Sequence, residues 1–273
     1  MKAFDTAKRN THTKDNEALK LIKNQKDFPF TLDMLKAVFN NATTEQESIL
    51  QEMVDELNRF DDNDIQMYKT YKLDTRDRLE HFWAQCVGEV GAGLNFLTES
   101  LNYDAERLKR EKDEIINGEK RKRAPFSYFF SHHDEADMYG KDSSKNTHPD
   151  KTADQEMIAN LVYADENRGE RYKLGNIQEG DGYKYRGRGI KQLTGRTHYT
   201  NFSRYAYEQG LVSTNTYFVD SPKEVADNAK FALYSALWYW IDNKIYLIAD
   251  KSKQASDNED IVTSVTKKNK PRT

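Results

Sequence analysis

Glu89 and Glu99 stand ten positions apart, with Gly91 and Gly93 breaking the chain between them. A pair of carboxyl groups flanking a bond is the usual equipment for cleaving a glycosidic linkage: one gives a proton to the leaving oxygen, the other activates water. About ninety residues further on comes Tyr183-Lys184-Tyr185-Arg186-Gly187-Arg188-Gly189-Ile190-Lys191-Gln192-Leu193-Thr194-Gly195. Glycines there allow close approach to backbone, tyrosines offer flat faces, and Gln192 and Thr194 offer hydrogen bonds. A sugar chain suits such a surface. The two segments together point to glycan hydrolysis.

Each glutamate needs an element to hold it. Asp74 or Thr75 starts a helix whose apolar face carries Leu79, Phe82, Trp83, Cys86 and Val87. At about 100° per residue, Glu89 falls at the edge of that face, and Gly88, Gly91 and Gly93 end the helix there. A helix C-terminus and partial burial both disfavour the charged form of a carboxyl group, which suits a general acid. A glutamate at a helix end is ordinarily a solvated surface residue, so spacing alone does not single it out among 45 acidic residues. Glu99, after the glycine turn, returns on a segment able to face it.

Elsewhere the pattern is helical. Thr31 caps a helix with Leu32, Met34, Leu35, Val38 and Phe39, and Thr43 or Thr44 caps a second with Ile49, Leu50, Met53, Val54 and Leu57. The stretch 58–71 reads as a polar loop, 104–122 as charged and helical at first, and 131–154 as a long polar loop. Helices follow over 155–163, 197–211 and 222–248. Residues 1–27 read as a polar lead-in or linker, and 28–273 as one catalytic domain ending in a polar tail. The fold class expected is mainly α: a lysozyme-like helical domain with long loops and a substrate cleft.

Composition excludes other classes. A net charge of -3 creates no field for nucleic acid. No apolar run reaches membrane-spanning length, so no membrane insertion is expected. The first nine residues lack the apolar stretch of a secretory leader. One cysteine, Cys86, permits no internal disulfide and fits a reducing compartment. His132, His133, Asp134 and His148 lack zinc-site spacing, so neither metal nor other cofactor is expected. The run Lys120-Arg121-Lys122-Arg123 reads as a solvated loop that can also meet an anionic wall.

Two blocks, Phe82-Trp83-Ala84-Gln85 through Glu89 to Glu99-Ser100-Leu101-Asn102-Tyr103, and Tyr185 to Arg196, resemble glycoside hydrolase family 19, in its bacterial and phage branch. Leu73-Asp74-Thr75 with Arg78, the run 159–164, Val225-Ala226-Asp227 and Trp238-Tyr239-Trp240 extend the resemblance in order from about Phe30 to Asp250. It implies an inverting, metal-independent hydrolase in which Glu89 is the acid, Glu99 the base, and Thr194 positions the water. It further implies Gln192 as a substrate-binding amide and Gly187 to Gly189, with Arg188, as cleft wall. Tyr103, Tyr185, Arg196 and His198 are expected as cleft or supporting residues.

Three departures mark this chain. Gly88 stands where the family usually has His, and His198 where it has Asn. The family's Asn-Gly-Gly turn and supporting Arg segment have no match in Val265 to Thr273, so a shortened C-terminus is expected. The resemblance leaves peptidoglycan and chitin as alternative substrates, and a non-catalytic glycan-binding module as a third reading. The first fits an endolysin or an antibacterial effector, made in the cytoplasm and acting on the wall or periplasm after lysis or delivery. An effector implies delivery machinery and an immunity protein as partners.

Overall fold

The computed structural model describes residues 29–95, 97–109, 112–116, 119–123 and 126–251, the stretch 112–123 by its backbone alone. The lead-in over 1–27 and the tail from residue 252 lie outside the described residues. In chain order the elements are α1 (Leu32–Val38), α2 (Thr44–Asn58), α3 (Met67–Thr70), α4 (Arg76–Val90), α5 (Ala105–Lys109), β1 (Lys112–Ile116), β2 (Glu119–Arg123), α6 (His133–Tyr139) and α7 (Gln155–Tyr163). There follow α8 (Asp181–Lys184), α9 (Arg196–Glu208), α10 (Tyr217–Asp220), α11 (Glu224–Asp227), α12 (Ala229–Asp242) and α13 (Ile245–Ala249), with three short 3-10 turns in addition. The fold is mainly helical, as expected of a lysozyme-like helical domain. Among the described residues no helix is long and apolar enough to cross a membrane.

The chain divides into two compact units. The first holds the described residues 29–97, 188–193 and 223–251. Its helices begin where the sequence supplies caps. Thr31 accepts a hydrogen bond from the Met34 N–H. Thr43 and Gln46 form a reciprocal capping box, and Thr75 caps α4. Each cap satisfies backbone donors that a helix start leaves unpaired. The α12 helix buries residues on every side, from Ala229 and Phe231 through Leu233, Leu237 and Trp240, which makes it the central helix of this unit. Phe82 of α4 meets Trp240 edge to face at 5.5 Å, and Phe39 meets Trp83 likewise at 5.9 Å. At the start of α4, Arg78 grips Asp250 with two nitrogens at 2.8 Å each and Asp74 with a third at 2.7 Å.

The second unit is Thr98–Gly187 with Thr194–Pro222. Its core joins Leu101, Leu108, Phe129, Ile158, Ala159, Val162 and Leu174. Asp154 caps α7, and α8 packs closely on α7, where Gly182 lies against the Ala159 backbone. Buried Asp165 accepts the Leu174 and Gly175 N–H groups at 2.7 and 3.0 Å. Buried Asn176 spans the Tyr163 carbonyl and the Arg196 N–H, both at 2.9 Å. These bonds supply partners for backbone that no regular element satisfies.

Some local readings change. The stretch 58–71 contains α3 and buries Met67, Tyr68 and Tyr71. Beyond α5 the charged stretch turns into an antiparallel hairpin, Lys112 opposite Arg123 and Ile116 opposite Glu119, which carries the basic run in β2. The span 131–154 includes α6. The helix expected over 222–248 is three, α11 to α13, with Asn228 capping α12 and Lys244, in the left-handed region, separating α12 from α13.

Candidate functional site

Glu89 belongs to the first unit and lies in the last turn of α4, which ends at Gly91 with φ +77°. Its side chain is 24% exposed, and one carboxyl oxygen lies 3.7 Å from the Nζ of Lys191, which is only 4% exposed. Lys191 belongs to the segment 188–193, a tight loop in which Arg188 and Leu193 exchange backbone hydrogen bonds of 3.1 and 2.7 Å. The Gly189 N–H donates to the Leu97 carbonyl at 2.8 Å. Gly189 is required here: its φ is +71°, and a Cβ would come within 2.6 Å of Ser235 Oγ and 3.0 Å of Val225. Gln192 also takes a positive φ, +52°, and its side-chain amide donates to the Gly189 carbonyl at 3.1 Å.

Burial pushes the Lys191 ammonium below its ordinary range, with Glu89 and Cys86 opposing that shift. Its Nζ has no hydrogen-bond partner, since 3.7 Å to Glu89 is beyond hydrogen-bond range. Cys86, one helical turn before Glu89, is fully buried, and burial pushes its thiol up to about 12. That is a core thiol rather than a nucleophile.

Glu99 belongs to the second unit. The Tyr163 hydroxyl donates to one carboxyl oxygen at 2.6 Å, and the Gly187 N–H donates to the other at 3.2 Å. The Glu99 N–H donates in turn to the Gly187 carbonyl at 2.8 Å. Tyr163 is buried at the end of α7, and burial followed by the Glu99 charge holds its phenol well above the ordinary range. It therefore remains a donor. Tyr103 is raised by the same two causes; its ring packs edge-on to Phe126 at 5.3 Å, under the Arg107 guanidinium at 4.7 Å.

The other expected residues take varied places. Thr194 is buried, and its carbonyl bonds the His198 ring at 2.7 Å. Tyr185 is wholly buried, its hydroxyl donating to the Val219 carbonyl at 3.1 Å and its ring against Tyr199 at 5.3 Å. Arg196 pairs with Asp181 through two nitrogens and stacks on Tyr185. Arg188 is 2% exposed. Tyr185 and Arg188 are thus both buried among their neighbours. Two residues to which the sequence reading gave no role, Tyr163 and Lys191, touch or neighbour the glutamates.

Among the described residues no group of three or more His, Cys, Asp or Glu is placed to hold a metal ion. The His132 ring stacks on Tyr128 at 4.1 Å, and His148 bonds Thr152 at 2.8 Å.

No family model matches the chain. A curated protein of Haemophilus influenzae, named a glycosyl hydrolase family 19 domain-containing protein, is 28% identical to it over 175 residues, 62% of this chain and 62% of that protein. The chain therefore spans under two thirds of the length of the relative it matches. With its motif blocks in order, its helical fold and this relative, the chain resembles glycoside hydrolase family 19.

Proposed function

We propose that this protein hydrolyses the β-1,4 bonds of peptidoglycan glycan strands by an inverting two-carboxylate mechanism. Glu89 protonates the glycosidic oxygen as the C–O bond breaks. Glu99 takes a proton from the water that attacks the anomeric carbon from the opposite face. Thr194 positions that water. An inverting enzyme needs its carboxyl groups roughly 6.5–9.5 Å apart to admit it.

One observation carries the reading: the glycine motif supplies a partner to each glutamate, the Gly187 N–H to Glu99 and the Lys191 side chain to Glu89. The Tyr163 donor orients Glu99 further, as a base requires. The setting that goes with this reading is that of a wall enzyme, an endolysin or an antibacterial effector.

The test is digestion of purified sacculi and, in parallel, chitin oligomers. Soluble muropeptides from sacculi and little release from chitin support the proposal. Reducing ends from chitin alone make the protein a chitinase. Binding to sacculi without release by any form makes it a glycan-binding module.

A further inference from the structure

Lys191 is a buried charged residue to which the mechanism above gives no step. A lysine is rarely buried this far without a hydrogen bond, because desolvating an ammonium is costly. Its setting is fixed on every side. The loop 188–193 is closed by paired backbone bonds, Gly189 is pressed against Ser235 and Val225, and neighbouring Ile190 is fully buried. The titratable groups acting on Lys191 are Glu89 and Cys86, both from α4. At the Gly189 contact α11 and α12 present Val225 and Ser235, which carry no charge. The ammonium lies 3.7 Å from one carboxyl oxygen of Glu89.

We infer that Lys191 is a positioning residue for Glu89, setting a positive charge beside its carboxyl group that stabilises the negative charge appearing there as the proton leaves. The inference rests on the glycosidase reading. During bond cleavage the proton passes from Glu89 to the glycosidic oxygen, the bonding electron pair goes to that oxygen, and Glu89 becomes a carboxylate. Water adds to the anomeric carbon and its proton goes to Glu99. A fixed ammonium beside Glu89 favours that developing charge without reorganisation, and in a poorly solvated site the effect is large.

The experiment measures hydrolysis of sacculi by wild type, Lys191→Met and Lys191→Arg. Methionine, one atom shorter and uncharged, suits the buried slot, so folding survives, which a thermal melt verifies. Lys191→Met is expected to lower kcat about tenfold or more at unchanged KM. Lys191→Arg, which keeps the positive charge, retains most of the wild-type kcat. An unchanged kcat in a folded Lys191→Met overturns the inference. A wild type without hydrolysis overturns instead the reading on which it rests.

A second measurement needs no activity. In a thermal-stability cycle with Glu89→Gln, the two single changes are expected to be non-additive, since removing Glu89 strands a buried cation that Lys191→Met also removes. Strict additivity contradicts the pairing.

Discussion

At the scale of the residue, Glu99 is the better-held glutamate. Its two oxygens accept from an aromatic hydroxyl and a backbone N–H, and its own N–H returns to the same glycine. Replacing it with glutamine keeps the volume and removes the base. Glu99→Gln is expected to lower kcat on sacculi by about 10²–10⁴-fold, the usual contribution of a general base. Tyr163→Phe removes only the 2.6 Å hydrogen bond, so kcat should fall by roughly tenfold while KM holds, one charged hydrogen bond being worth about 1.5–3 kcal/mol at most. Equal rates for Tyr163→Phe and wild type would show that the bond is structural only. The roles expected of the two glutamates came from the family resemblance, because spacing alone does not single them out among 45 acidic residues. Tyr163 and Lys191 were given no role. Each looks like an ordinary member of its segment, a tyrosine ending an apolar helix and a lysine in a loop, and only three-dimensional proximity gives either a role.

The elements that carry those residues were legible to differing degrees. Thr31, Thr43 and Thr75 each cap the helix that begins after them, because a side-chain acceptor there satisfies a local N–H whatever the rest of the fold does. The hairpin of β1 and β2 was not recognised, although Asn117-Gly118 lies between two charged runs and is a strong two-residue turn pair. Charge there masked the strand pattern. The long apolar stretch over 222–248 read as one helix because hydrophobicity persists through the breaks at Asn228 and Lys244. The segment 188–193 is the element most sensitive to change. Gly189→Ala places a methyl against Ser235 and Val225 at a positive φ, and should destabilise the fold by about 1–3 kcal/mol. Chemical denaturation measures this, and a midpoint equal to that of wild type would mean that the loop yields at no cost.

At the scale of the whole molecule, the aromatic content turns into a pH response. Tyr103, Tyr128, Tyr163 and Tyr234 are all raised above the ordinary tyrosine value, burial being the first cause in each. A raised phenol keeps its proton in the folded chain after the unfolded chain has lost it. Its stabilising contribution is therefore complete below about pH 10, and is lost as pH rises from there toward the folded value. Cys86 acts in the same direction from its ordinary value of 9.0 up to about 12. Lys191, lowered by burial, acts in the opposite sense. Melting temperature should hold up to about pH 9 and then fall, by roughly 2–4 °C for each kcal/mol lost. A flat profile to pH 11 would contradict the buried placement of these phenols.

The account as a whole stands on Glu89 donating its proton to a sugar–sugar bond. Mass spectrometry of sacculi digested by wild type and by folded Glu89→Gln tests this directly. Soluble muropeptides ending in reducing N-acetylmuramic acid, released by wild type and absent with the variant, are the result expected. Equal release by both, or no release by wild type from sacculi or chitin, would contradict it.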